Sequence, residues 1–443
     1  MTNNNQNINL HKGIDGWLIL MYLIMVTIGI ACITAVEFRP GENLMKSFFE
    51  FKKNYSKQLM FFFIAIAFAI FILLTDSKLF TLTANLQYAI GIILMLLVFV
   101  IGSKVKGTES IIKIGGFQFQ PVEICKLFTA LCLAKYFSRP EVDFQQSKHQ
   151  LIVVAIALTP AIFSIAQHET GVGLVYFSFF LMMYREGLPA IYLVLGFSFG
   201  GLVLLSLFFA AKPYIFMGII ATIAFIAAYI LRKQIKRKRN ILVVILLIAA
   251  GCIGFQKVGV PLIFTKVLKG YQSTRIFSTL GMDNPYATDE KSEAKKNGEE
   301  YNVKQSKLAI GNGEFLGKGY MKGTLTNGSF VPEQSTDFIF CTIGESFGFL
   351  GSAFYLILYA LFLFRLTIIA ERQRSTFSRV YAYCVASIFF FHILINIGMV
   401  TGIMPVIGIP LPFISYGGTS LLSFTIMLFI LIRLDADRQM VLR

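Results

Sequence analysis

Pro332-Glu333-Gln334-Ser335-Thr336-Asp337-Phe338 runs straight into residues 339–366, IFCTIGESFGFLGSAFYLILYALFLFRL. A helix of about 20 mostly apolar residues crosses a bilayer, so this stretch reads as a polar segment entering a membrane with an aspartate at its edge. Working outward, further runs of that kind lie at roughly 16–36, 58–75, 80–102, 121–138, 150–166, 170–184, 187–211, 214–231, 240–258, 380–403 and 412–433. Of 443 residues 56% are hydrophobic and only 14% charged, where a soluble domain has about a quarter charged. The expected fold is therefore an all-α polytopic membrane protein, with about twelve transmembrane helices and one large extracytoplasmic loop. Residues 1–258 would be N-terminal transmembrane helices, 259–338 a catalytic loop and 339–443 C-terminal transmembrane helices of one integral-membrane domain.

Charge sets the expected orientation. The formal net charge of +16 fits basic cytoplasmic loops beside anionic membrane lipids better than it fits a nucleic-acid partner. The run Arg232 to Arg239 follows the eighth apolar run, Arg372, Arg374 and Arg379 follow the tenth, and Arg433, Arg438 and Arg443 follow the twelfth. Both termini are then cytoplasmic and the long loop lies outside, although Lys46, Lys52, Lys53 and Lys57 run against the pattern. Residues 1–15 are polar and do not resemble a cleaved signal peptide. The six cysteines have no metal-ligand spacing and read as small buried hydrophobes. No internal repeat is visible, which weighs against an inverted-repeat transporter.

Four polar constellations stand out, because charged groups at membrane depth usually line a cavity or pair with each other. Pro121 opens the fourth run, and Glu123 and Lys126, three residues apart, share a helical face as an interfacial ion pair or a cavity group. Gln167-His168-Glu169-Thr170-Gly171 interrupts two short runs, as a polar turn or as a helix break near a cavity. In the long loop, Gln305-Ser306 precedes Gly311, Gly313, Gly317, Lys318, Gly319 and Gly323. Such backbone either approaches a phosphate or sugar closely or simply makes turns, and its spacing is not that of a nucleotide-binding loop. Finally, the glycines and prolines between Asn396 and Ser420 forbid a regular helix from about 401 to 412, which a membrane protein tolerates only where protein or a watery cavity covers the backbone.

Taken in order, several motifs closely resemble the SEDS (shape, elongation, division and sporulation) family, the RodA and FtsW peptidoglycan polymerases of bacteria. They are Gln120-Pro121…Glu123…Lys126, Gln167…Glu169…Gly171, Tyr271-Gln272…Arg275-Ile276, Gln305-Ser306…Ala309-Ile310-Gly311 and Gly317-Lys318-Gly319. Pro332-Glu333…Thr336-Asp337-Phe338-Ile339-Phe340, Gly344-Glu345 and the block from Asn396 to Ser420 complete the set, which covers essentially the whole chain. The tail block looks more like RodA than FtsW. His168-Glu169 stands where the family usually has Pro-Asp, Val122 replaces a serine, Glu314 a glycine, and Ser346 a second glutamate. The family core is ten spans, so the runs within 187–258 contain an extra pair.

The resemblance implies transfer of the lipid II disaccharide to a growing glycan strand at the outer face of the bacterial inner membrane, with undecaprenyl diphosphate leaving. Inverting attack by a sugar hydroxyl needs one general base, and Asp337 is the catalytic candidate. A diphosphate leaving group needs cations rather than a proton, from Arg275, Lys318 and Lys126 or from a divalent ion such as Mg or Mn; no cofactor is certain. Glu123 and Glu169 would shape the cavity or bind that metal. Gln305, Ser306, Glu345, Ser415 and Tyr416 are the remaining substrate or cavity candidates. The implied partner is a class B penicillin-binding protein, a transpeptidase. Three alternatives stay open: a flippase for the lipid-linked precursor, a division-type polymerase like FtsW, and a scaffold that recruits a partner.

Overall fold

The computed structural model describes residues 13–38, 48, 50–105, 108–114, 117–210, 212–238, 240–267, 277, 290–328, 330–404 and 406–438. Asp15 starts the first helix, α1 (Gly16–Glu37), by accepting the Leu18 amide at 3.2 Å, as an N-cap carboxylate does. α2 (Asn54–Leu74) and α3 (Ser77–Ile101) follow, the latter capped by Asp76. Three short antiparallel strands come next, β1 (Ser103–Val105), β2 (Thr108–Ile114) and β3 (Phe117–Phe119). This small sheet is a departure from a purely helical chain. Pro121 then opens α4 (Pro121–Phe137) at a position where its missing N–H costs nothing.

After α4 the chain forms α5 (Ser147–Ala166), α6 (Thr170–Val175) and α7 (Phe179–Arg185), the last two joined by a 3₁₀ turn. α8 (Ala190–Phe208), α9 (Pro213–Ile230), the short basic α10 (Arg232–Arg237) and α11 (Asn240–Gly254) come next, α11 running on through π-helical turns. Beyond them are α12 (Glu290–Asn312), α13 (Thr324–Asn327), α14 (Phe340–Arg372), α15 (Thr376–Thr401) and α16 (Gly418–Ala436). Among the described residues nine helices are long and apolar enough to cross a membrane. The apolar runs at 121–138, 170–184 and 187–211 fall on α4, on the broken α6–α7 stretch and on α8.

The chain divides into two compact units, Met1–Leu188 with Gln305–Thr401 and Ile407–Arg443, and Pro189–Lys304 with Gly402–Val406. In the first unit α4 and α16 are the most buried helices and α2 and α3 are peripheral. Its core is aromatic: Tyr22 packs edge-on against Phe413 and Phe429, and Phe362 edge-on against Phe389 and Phe413. Edge-to-face pairs of this kind add specificity beyond the area they bury. The second unit has a small core of Val260, Phe264 and Phe277, flanked by Phe255 and Ile263.

Candidate active site

Asp337 ends a tight turn whose pivot is Glu333, at φ +53. The Glu333 carbonyl accepts the amides of Thr336, Asp337 and Phe338 at 3.0–3.3 Å, so the turn closes on itself just before α14 begins. From α15, Asn396 Nδ2 donates to the Asp337 carbonyl at 2.9 Å and to the Ile409 carbonyl at 2.7 Å. One carboxamide thus ties the aspartate's backbone to the non-helical segment that follows α15. Gly408 in that segment has φ +73, and a Cβ placed on it would come within 3.1 Å of Asp337 Oδ2. Asp337 itself is half-buried.

That segment, 407–417, would be costly at membrane depth unless its polar backbone were satisfied. The structure answers carbonyl by carbonyl. Asn396 takes Ile409, His392 Nδ1 lies 3.1 Å from the Pro410 oxygen, and the Tyr359 hydroxyl donates to Pro412 at 2.6 Å. Ser415 Oγ accepts the Leu411 amide at 2.8 Å, while Gln58 bridges the Ser415 carbonyl and the Gly417 amide, each at 3.2 Å. The Tyr416 amide donates to Ser335 at 2.8 Å, fastening the segment to the Asp337 turn. Gly171 is also required here, because a Cβ on it would strike the Ile407 carbonyl at 2.7 Å.

Beneath this segment Glu123 and Lys126 pair at 3.0 Å, both wholly buried. Lys126 Nζ also lies 2.8 Å from His392 Nε2 and 5.0 Å above the Phe424 ring. Ser423 donates to the Glu123 carbonyl at 2.6 Å. The ammonium is therefore spent inside the protein, where a buried ion pair needs each of its groups hydrogen-bonded.

Glu345, on α14, holds a different cradle. Its carboxylate accepts the Leu325 amide at 2.9 Å, the Thr326 amide at 2.8 Å and the Asn312 carboxamide at 3.0 Å. It thereby caps α13, with Lys318 Nζ 3.3 Å from the adjacent Thr324 hydroxyl. The glycines of 313–319 serve this arrangement. α14 breaks at Gly348, φ +61, and residues 313–319 lie against the break. Lys318, Gly319 and Phe349 amides bond to the Glu345, Ser346 and Glu314 carbonyls at 2.9–3.0 Å. A Cβ on Gly313 would overlap the Gly344 oxygen at 1.9 Å, and one on Gly317 the Ser346 oxygen at 2.3 Å. These two glycines permit backbone to meet backbone.

Glu169 accepts from Ser110 Oγ and, at 3.1 Å, from Gln120 Nε2, in a turn where His168 takes φ +66 and Gln167 donates to Met95 at 2.7 Å. Ser306 is buried and donates to the Val400 carbonyl at 2.8 Å, fixing α12 to the end of α15; Gln305 beside it is half-buried. Arg275, with Tyr271, Gln272 and Ile276, lies outside the described residues. So do residues 283–289 of the charged segment Asp283 to Glu300. Among the described residues no three His, Cys, Asp or Glu side chains gather as a metal site would require. Sequence reasoning missed His392, Tyr359 and Gln58. Only His392 carried a signal, an imidazole inside an apolar run one helical turn before Asn396.

The first unit is thus a helical membrane body with one end that carries a carboxylate, a break in α14 and a non-helical segment side by side. Such an assembly defines a membrane-embedded protein with a polar site at its edge. The chain belongs to the FtsW, RodA and SpoVE family of cell cycle proteins, whose model matches residues 16–241 and 218–440. It is 30% identical to the peptidoglycan glycosyltransferase MrdB of Escherichia coli K12 over 76% of this chain and 73% of that one. It is 29% identical to the peptidoglycan glycosyltransferase RodA of Treponema pallidum, covering 95% and 97%. In fold it is similar to RodA of Thermus thermophilus, with a TM-score of 0.60 at 20% identity, covering 96% and 97%. A chain of a peptidoglycan synthase complex that coordinates polymerization and crosslinking superposes with a TM-score of 0.65 at 21% identity, covering 96% and 98%.

Proposed function

We propose that this protein is a peptidoglycan glycosyltransferase that polymerises lipid II at the outer face of the bacterial inner membrane. The observation that carries the reading is Asp337, placed just before the apolar helix α14 and walled by Gly408, in a family whose relatives bear that name. The hydroxyl of the acceptor sugar attacks the anomeric carbon of the donor as Asp337 takes its proton. The new glycosidic C–O bond forms while the bond to the diphosphate breaks, and the lipid diphosphate leaves as an anion. Lys318 and Arg275 are the cations assigned to that anion; Lys126, enclosed with Glu123 and His392, is left to brace the protein beneath the site. Glu169, Glu345, Gln305, Ser306, Ser415 and Tyr416 shape the cavity. No step is routed through Mg or Mn, because no protein donor set for it converges among the described residues.

Twelve spans, with both termini cytoplasmic, are the topology we adopt, in the three divisions 1–258, 259–338 and 339–443. The arginines at the end of the first unit away from Asp337 support it. An elongation role is favoured by the 29% identity to RodA of Treponema pallidum, against 25% to a probable FtsW of Buchnera aphidicola. The partner we assign is a class B penicillin-binding protein, consistent with the synthase complex of similar fold.

The test is polymerisation of purified lipid II by wild type and Asp337→Ala, each alone and with the transpeptidase, with and without divalent ion. The variant should fold normally and lose activity by at least about 100-fold. A wild type that makes no polymer under any of these conditions sinks the reading, and translocation of lipid II in liposomes would then test the flippase alternative.

A further inference from the structure

His392 plays no part in the reaction as drawn above, yet it joins the two buried constellations. Lys126 is an ammonium paired with Glu123 at 3.0 Å, and an ammonium can only donate. Its 2.8 Å contact with His392 Nε2 therefore makes that nitrogen the acceptor. The imidazole is then neutral with its proton on Nδ1, which points at the Pro410 carbonyl 3.1 Å away. A charged imidazole would put two wholly buried cations on one carboxylate, which burial strongly opposes. One helical turn further along α15, Asn396 holds the preceding carbonyl, Ile409, together with that of Asp337. Two side chains four residues apart on one helix face thus grip consecutive carbonyls of the segment whose Gly408 backs the Asp337 carboxylate.

We propose that His392 is a positioning residue: its Nδ1 proton tethers Pro410 and so keeps the 407–417 segment in place beside Asp337, while Lys126 fixes the tautomer that makes this possible. The inference rests on Asp337 being the base of the proposed reaction. Its rival is that His392 merely satisfies Lys126. The two isosteric amides separate these ideas. In His392→Asn the amide sits near the Nδ1 position and keeps the donor to Pro410 but gives up Lys126. In His392→Gln it reaches the Nε2 position, keeps an acceptor for Lys126 and gives up the tether.

The experiment uses the full chain in lipid nanodiscs, with hydrogen–deuterium exchange of the 407–417 peptide and the kcat and KM of lipid II polymerisation as readouts. His392→Gln should exchange faster across that peptide and lose about 10–100-fold in kcat with KM changed little, the signature of a misplaced catalytic wall. His392→Asn should keep wild-type exchange across that peptide and lose less kcat than His392→Gln, its cost falling on Lys126 instead. The opposite order, no change in either variant, or failure of both to fold would overturn the proposal. If the wild type makes no polymer, the reaction reading fails by itself, and the order of exchange still decides the tether.

Discussion

The two ends of the helix body in the first unit hold their carboxylates in different ways. At the end where α1 begins and α14 finishes, guanidinium groups hold them. Asp15 takes Arg365 at 2.7 Å and Arg372 at 2.9 Å, Asp435 takes Arg438 at 2.9 Å as well as Arg372, and Glu186 takes Arg379 at 2.8 Å. At the other end, Glu345 is held by amides of α13 and a carboxamide, and the 407–417 carbonyls by Asn396, His392 and Tyr359. Forked, charge-assisted pairs lock helix ends together. Neutral donors orient backbone and leave the electrostatics of the site to the substrate and to groups around it. The first end is built to close the body, the second to hold a shape.

The largest effect should come from a change of shape at the second end. Gly408→Val puts a branched side chain at φ +73 and against Asp337 Oδ2. We expect kcat to fall on the order of 100-fold, a loss out of proportion to the modest drop in melting temperature that a β-branched residue at positive φ brings. Arg372→Ala, at the first end, should do the reverse, lowering the melting temperature while the folded fraction keeps its kcat. A Gly408→Val enzyme with wild-type turnover would break the comparison, since the wall beside Asp337 would then be dispensable.

The same contrast explains what could be read from the sequence. The dense glycines and prolines after Asn396 announced a non-helical segment, because no helix accommodates them, and the i, i+3 spacing of Glu123 and Lys126 announced their pairing. The break in α14 was hidden. Residues 339–366 read as one apolar run, and only the three-dimensional contact of Gly313 and Gly317 with it shows why those glycines are needed. At position 314 Glu314 stands where the family usually has glycine, and its backbone takes a left-handed φ of +51. At His168 the opposite holds: φ +66 is closed to the family's proline, so this chain builds the Glu169 turn in its own way. His392 escaped notice because a lone histidine in an apolar helix is more often a core residue than a functional one. The small sheet at 103–119 escaped because β1 and β3 have three residues each and β2, TESIIKI, does not alternate apolar with polar.

A smaller effect, on stability, sharpens the account of the ionic end. Asp15 has two roles there, capping α1 and accepting two arginines, and Asp15→Asn keeps the cap while removing the charge. Burial raises the Asp15 carboxyl, but Arg365, the Leu18 amide and Arg372 outweigh it and hold the group below its ordinary value of 3.8. A depressed folded-state value stabilises the protein above 3.8, and that stabilisation is lost as pH falls through the still lower folded value. Wild type should therefore lose melting temperature as pH drops from about 5 through 3, and Asp15→Asn should lose less over the same range. At pH 7 the substitution should cost on the order of 3 kcal/mol, since it leaves two partly buried guanidinium groups short of a partner. Parallel pH curves for the two proteins would mean that Asp15 acts as a cap alone.

The smallest effect tests whether burial, rather than the mere presence of an arginine, gives that end its strength. Arg185 and Glu371 form a forked pair at 2.9–3.2 Å, as well aligned as the Asp15 contacts, and Arg185 also stacks over Tyr383. Their side chains are 49% and 51% exposed, against 1% for Asp15. Water screens an exposed pair and ordering two long side chains costs entropy, so Arg185→Ala should change stability by no more than about 1 kcal/mol. Equal losses from Arg185→Ala and Asp15→Asn would show that fork geometry alone sets the strength of these pairs. A clear gap between them would mean that the ionic end owes its hold on the helices to the few carboxylates it shuts away from water.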